Sequence, residues 1–212
     1  NESFPWLSHK SIKLCSEDTR VLKVSYAGEK GFEIHVHNGS MKKIYDELVQ
    51  HGENFNLIHF GMLALDSMRL EKNYRSWKSD LTSDYTMLQS GLEKWIKFDK
   101  GNFIGKEALK NEFDLGTSKK FVTLVVDDPE DNKPFGEPVY LSPVFAGDDY
   151  LGPIVSSGYG HRVKKSISMA ILDDRNLNGL NDQLYIDVLG RKRKAYIVNE
   201  ALYDPENLKL RS

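Results

Sequence analysis

Tyr26 and Glu33 are the two side chains in this 212-residue sequence whose types and placement best suit ligand chemistry. They flank Ala27-Gly28-Glu29-Lys30-Gly31 within VLKVSYAGEKGFEIHVH, residues 21–37. A phenol hydroxyl donates or accepts a hydrogen bond, and a carboxylate accepts several. Set on either side of a glycine-punctuated turn, the two can converge on one small molecule. The alternation of apolar and polar residues on both sides of that turn predicts a β-hairpin. Leu22, Val24 and Tyr26 then share one face of the first strand, and Phe32, Ile34 and Val36 one face of the second. Glu33, His35 and His37 fall on the opposite face. An ordinary hairpin with a core tyrosine and a solvated glutamate produces the same pattern. Other chemistries lack support. His35 and His37 share a strand face but have no third metal ligand near them in sequence. Gly158-Tyr159-Gly160 lacks the Lys-Ser/Thr or third glycine of a phosphate loop. Ser157 and His161 lie in no nucleophile-elbow sequence.

The elements that position these residues follow from periodicity. After the hairpin, Asn38-Gly39-Ser40 is a turn whose Ser40 can cap a helix. Met41, Ile44, Tyr45 and Leu48 then recur at helical spacing, with Gly52 as a stop. Residues 57–72 predict a second helix, apolar on more than one face and therefore deeply packed. Residues 86–98 predict a helical or mixed segment, and residues 105–110 a short helix. Beyond Leu115-Gly116-Thr117-Ser118 the character changes to short β runs at 121–126, 138–141, 154–157, 166–172, 183–189 and 194–199. Gly and Pro punctuate these runs, as in a barrel or sandwich. The last two form a hairpin about Gly190-Arg191, with Leu184, Ile186 and Val188 facing inward. The fold class is α+β: an antiparallel sheet with helices on one side, followed by a C-terminal β-barrel domain. The boundary falls near residue 116, giving domains 1–115 and 116–212.

Bulk properties narrow the function classes. Hydrophobic residues make up 40% and charged residues 28%, ordinary for a globular chain. A formal net charge of −2 gives no reason to expect nucleic acid or an anionic membrane as partner. A single cysteine, Cys15, cannot form an internal disulfide, which fits a reducing cytoplasm. No run approaches the roughly 18 apolar residues of a membrane span. The opening NESFPWLSHK carries no signal pattern and no initiator Met, so the expectation is a fragment or a processed product.

Five segments occur together in one order: SYAGEKGFEI (25–34), ALDSMRLEKNYRSW (64–77), LEKWIKFDKGNFIGKEAL (92–109), SSGYGHRVKKSISMA (156–170) and LYDPENLKLR (202–211). In that set the chain resembles the folate-binding half of dimethylglycine and sarcosine dehydrogenases, itself similar to the glycine-cleavage T-protein (aminomethyltransferase). The resemblance implies a tetrahydrofolate held between subdomains and a one-carbon unit passed from an amine to it. The family's Tyr-x-Gly-Glu-x-Gly-x-Glu pattern falls on Tyr26, Gly28, Glu29, Gly31 and Glu33, so Tyr26 and Glu33 inherit folate contacts by resemblance. A buried Glu33 suits this role, because a carboxylate accepts the paired donors of a pterin edge. Burial without such partners would cost several kcal/mol.

Departures from the family qualify what is inherited. The T-proteins carry Arg-Asp where this chain has Leu65-Asp66. The charge for folate's glutamate tail then falls to Arg69 or Arg75, for each of which a helix-end salt bridge is the structural alternative. Tyr74 and Trp77 can line a pterin slot by stacking, with core packing as their alternative. The T-protein's tyrosine near the C-terminus has no counterpart in Asn207-Leu208-Lys209. The family's reactive aspartate lies in a portion matching nothing here, so the missing N-terminal segment or a flavin-containing subunit is the expected partner and the catalytic group is unknown. The rival reading is a non-catalytic folate-binding module. Relatives in iron–sulfur assembly show Lys-Gly-Cys where this chain has Lys100-Gly101-Asn102.

Overall fold

The computed structural model describes residues 3–127, 138–174, 177 and 184–212. Strands β1 (His9–Leu14) and β2 (Glu17–Leu22) form a hairpin closed by Cys15 and Ser16. Both turn residues have positive φ, 52° and 70°, the mirror-image geometry that suits two-residue hairpins. Cys-Ser is not a usual turn signal, so sequence reading did not predict this hairpin. Strand β3 (Glu33–His35) pairs β2 in antiparallel register, Val21 opposite Ile34 and Leu22 opposite Glu33. Of the expected first strand only Val21 and Leu22 pair with β3; Val24 and Tyr26 lie in a long connection, residues 23–32, in place of a tight turn.

The burial phase differs from expectation. Thr19, Val21 and Lys23 are the buried residues of this stretch, and Leu22 and Val24 only half so. Cross-strand partners share a face, so Glu33 lies on the same side as Leu22 rather than opposite it. The expected inward Glu33 is exposed in this structure, as are Phe32 and Ile34.

Helix α1 (Asn38–Gly52) begins at a His37 N-cap, whose Nδ1 accepts from the Gly39 N–H at 3.3 Å. Ser40 is not the cap; its hydroxyl donates to Glu17 at 2.7 Å and ties the helix to β2. Ile44 is the buried anchor of α1. Helix α2 (Met62–Glu71) starts five residues later than residues 57–72 predicted, with Leu57 folded back onto Gly52. Its C-terminal Arg69, Leu70 and Glu71 are buried against the barrel. Residues 86–98 are turns with one 3-10 turn at Glu93–Trp95 rather than a helix. Helix α3 (Lys106–Leu115) ends at Gly116, φ 83°.

Six strands then close a barrel: β4 (Lys119–Val126), β5 (Pro143–Ala146), β6 (Asp149–Gly160), β7 (Lys165–Asp173), β8 (Leu184–Val188) and β9 (Arg191–Val198). Their order is β4-β7-β6-β5-β8-β9, antiparallel throughout. Residues 138–141 are not the predicted strand; Leu141 has φ 67°, and β5 starts at Pro143, where a missing N–H does least harm. Gln183, the predicted start of β8, lies outside the described residues. Val122, Leu124, Ile154, Leu172, Leu184 and Ile186 belong to the barrel's main core cluster, and a second cluster joins Leu70 of α2 to Phe121, Ile167 and Met169.

The N-terminal part is much less enclosed. Met41, Tyr45 and Leu48 form an exposed stripe on α1, and Phe55, Ile58, Phe60, Met62 and Leu63 stand out beside it. The Tyr45 and His59 rings lie 5.9 Å apart, which makes the two groups neighbours. Among the described residues no helix is long and apolar enough to cross a membrane.

Candidate functional site

The end of α2 organises everything around Tyr26. Arg69, 2% exposed, cannot stay charged there without partners, and every nitrogen of its guanidinium finds one. Its Nε donates to Asp66 at 2.7 Å, Nη1 to Asp80 at 2.7 Å and to the Tyr74 carbonyl at 3.0 Å, and Nη2 to Ser156 of β6 at 2.9 Å. Asp80 is fully buried and also accepts from the Ser76 N–H at 2.7 Å and from the Ser156 hydroxyl. The ion pair folds residues 72–81 back onto α2 and docks both on the barrel. Arg69 is thus the helix-end ion pair that sequence reading set as its alternative role.

That fold-back delivers Tyr74 and Arg75 to Tyr26. The Tyr26 hydroxyl donates to the Arg75 carbonyl at 2.9 Å, and the Tyr26 and Tyr74 rings stack with centroids 6.2 Å apart. Burial raises the pKa of both phenols above the ordinary 10, so each is a neutral donor at physiological pH. Arg75 donates to the carbonyls of Ser90 at 2.8 Å and Gly91 at 3.1 Å, with its guanidinium 4.2 Å from the Phe121 ring centre. Tyr74 reaches Asn207 at 3.4 Å. Among the described residues no hydrogen bond or ring contact joins the side chain of Trp77 or Glu33 to this group: Trp77 is exposed, and Glu33 meets His35 at 3.3 Å.

A cleft of about 1170 Å³ opens between this fold-back and the barrel, walled by Lys72, Tyr74, Arg75, Trp95 and Phe121 among others. Tyr26, Glu33, Arg69 and Trp77 are not among its walls. Three residues missed in sequence reading support it. Lys72 is buried and pairs with Asp204 at 3.2 Å. Glu71 is buried and accepts the Arg162 and Val163 N–H groups at 2.7 and 3.2 Å. Asp204 also accepts from the Leu208 N–H at 2.9 Å, which holds the C-terminal turn. A buried Glu-Lys pair closing a helix is a weak sequence signal, because helix ends usually leave such pairs in solvent.

The Tyr26 loop has its own tethers. Gly28, φ 76°, lies so close to Lys72 that a Cβ there would overlap the lysine stem. Glu29 accepts from Arg162 and, at 2.7 Å, from the Tyr203 hydroxyl. Burial alone would raise the Glu29 pKa, but these two donors outweigh it and hold the carboxyl below its ordinary 4.5. A depressed carboxylate contributes its stability above the unfolded value, and that contribution is lost as pH falls through the folded one.

Comparison with known proteins covers nearly the whole chain. Residues 1–100 match a family model described as the GCVT N-terminal domain, and residues 119–204 one described as the glycine cleavage T-protein C-terminal barrel domain. An aminomethyltransferase of Pseudothermotoga lettingae is 30% identical over 95% of this chain and 53% of its own length. Mitochondrial dimethylglycine dehydrogenase of Homo sapiens is 29% identical over 95% of this chain and 23% of its own. The crystal structure of glycine cleavage system aminomethyltransferase T from Bartonella henselae shares the fold, with a TM-score of 0.81 at 18% identity, over 97% of this chain and 54% of that one. The chain therefore spans about half of the aminomethyltransferases it matches and less than a quarter of the dehydrogenase.

Proposed function

Because this chain belongs to the glycine cleavage T-protein family, we propose that it is the tetrahydrofolate-binding part of an aminomethyltransferase-type module. In this reading a one-carbon unit passes from an amine of the glycine, dimethylglycine or sarcosine type to tetrahydrofolate. The observation that carries it is the Tyr26 loop, whose family pattern is held by the Arg75 carbonyl and the Lys72 stem just beyond α2, by Arg162 of the β6–β7 turn and by Tyr203 of the C-terminal segment. Tyr26 supplies a ring and a hydroxyl for the pterin, and Glu33 an accessible carboxylate for its donor edge. Tyr74 braces Tyr26, and Trp77 offers a free ring face. Arg75 is the better cation for a glutamate tail, since it lines the cleft while Arg69 is enclosed. Arg69 acts by holding the Tyr74 carbonyl.

A thermal shift with tetrahydrofolate tests the reading. We expect wild type to melt higher with ligand and Glu33→Gln to need about tenfold more folate for the same shift, the cost of a charge-assisted hydrogen bond. No shift in wild type discards folate binding; equal shifts discard Glu33 as the pterin partner.

Amine binding and turnover, in this reading, need polypeptide beyond the present chain: an N-terminal portion of the module or a flavin-containing subunit. The exposed apolar stripe of α1 and residues 55–63 support this, because a monomeric surface rarely leaves so many large apolar side chains together. The purified chain should bind an apolar dye such as ANS, and Ile58→Lys with Leu63→Lys should remove most of that signal without lowering the melting temperature. A chain that binds no dye contradicts the idea. Within the proposal the folate-binding domain ends near residue 116, and the free thiol of Cys15 suits a cytoplasmic setting.

A further inference from the structure

We infer that Glu29 is a positioning residue: through Arg162 and Tyr203 it holds the Tyr26 loop on the barrel, and so sets the folate affinity proposed above. The inference rests on that functional reading for its second half only.

Among the described residues, 24–32 take part in no backbone–backbone hydrogen bond. A segment without a ladder is placed by its side chains or not at all. Tyr26 ties one part of the loop to the Arg75 carbonyl, and Gly28 rests on the Lys72 stem. Both of these contacts lead back to the end of α2. Glu29 instead reaches across to the barrel side, where its carboxylate takes Arg162 of the β6–β7 turn and Tyr203 of the C-terminal segment.

Arg162 is a fixed post rather than a loose surface cation. Its backbone N–H and that of Val163 are held by the buried Glu71 carboxylate. Its guanidinium lies 4.1 Å from the Tyr203 ring centre, and the Lys209 ammonium lies 5.0 Å from the same ring. The contacts form a closed circuit: α2 fixes the barrel turn, the turn fixes Glu29, and Glu29 with Tyr26 fixes the loop back to α2. Cutting the circuit at Glu29 leaves the fold intact but lets the Tyr26 side of the loop move. The pair is 46% and 35% exposed, so its removal costs little global stability.

The loop carries its own reporter in exposed Lys30. Endoproteinase Lys-C cleavage after Lys30 reads loop opening without any ligand. Glu29→Gln and Arg162→Gln should each speed that cleavage severalfold and weaken tetrahydrofolate binding about threefold, as much as a half-exposed ion pair can transmit to a ligand it does not touch. Melting temperature should stay within about 2 °C of wild type. The double Gln variant should be no worse than either single one. Unchanged cleavage in Glu29→Gln overturns the tether. Faster cleavage with unchanged folate affinity, or accelerated cleavage at every lysine with a falling melting temperature, overturns the positioning role. Failure of wild type to bind tetrahydrofolate sinks the functional reading instead, and leaves the tether to the Lys-C result.

Discussion

Replacing Arg69 by Met will cost about 3–5 kcal/mol of unfolding free energy, the typical loss when one member of a buried ion pair is removed. The side chain volume is nearly kept, so the loss comes from what stays behind. Asp80 has no exposed surface and keeps only the Ser76 N–H and the Ser156 hydroxyl as partners once the guanidinium is gone. The Tyr74 carbonyl loses its Arg69 donor at the same time. Urea unfolding followed by circular dichroism measures the change, and a loss below about 1 kcal/mol would mean that Asp80 is not desolvated as its geometry requires. Adding Asp80→Leu to Arg69→Met should return much of the stability, because no charge is then left buried alone. On the proposed function, folate affinity should fall in the single variant as well, since Tyr74 and Arg75 depend on this pair for their place in the cleft wall.

Gly152→Ala is expected to cost about 3 kcal/mol, near the upper end for overpacking. Gly152 sits in β6 opposite Val144 of β5, beside the irregularity between Val144 and Phe145. Its φ is 153°, and a Cβ there would overlap the carbonyl oxygen of Ile171 in β7. That atom belongs to a closed barrel's backbone and has nowhere to go. Gly147→Ala is the control: its φ is 61° but nothing lies within 4 Å of the added carbon, so only the roughly 1 kcal/mol of left-handed backbone remains. Equal losses in the two variants, measured in the same urea series, would remove close packing as the cause.

What could be read before any coordinates differed sharply between the two halves. Strands β4, β6, β7, β8 and β9 are each visible in outline, because every strand of a closed antiparallel barrel repeats a local pattern bounded by turn residues. The strand placed at 138–141 failed where two prolines, Pro138 and Pro143, made the boundary ambiguous. In the first half, α1 and α3 were visible from their spacing, while the start of α2 was not. Apolar residues 57–61 fit a helix locally, and only the return of Leu57 onto Gly52 takes them out of it.

The candidate site divides in the same way. Residue order alone determined that a tyrosine and a glutamate bracket a glycine-rich connection, and that the chain belongs with the glycine cleavage T-proteins and their dehydrogenase relatives. It also determined that Arg69 and Glu71 stand at the end of a helix apolar on more than one face, with Asn73-Tyr74-Arg75-Ser76-Trp77 following it. Three-dimensional packing decided which of two strand faces is buried, because alternation defines two faces and says nothing about what covers either. It decided too that Arg69 meets Asp80 and Ser156, and that Glu29 meets Arg162 and Tyr203. Such pairs lie far apart along the chain, and a charged side chain has no sequence signature for the partner it will find. Desolvation forces a buried charge such as Arg69 to take whichever opposite group the fold brings within reach, and only the assembled barrel and helices specify which group that is.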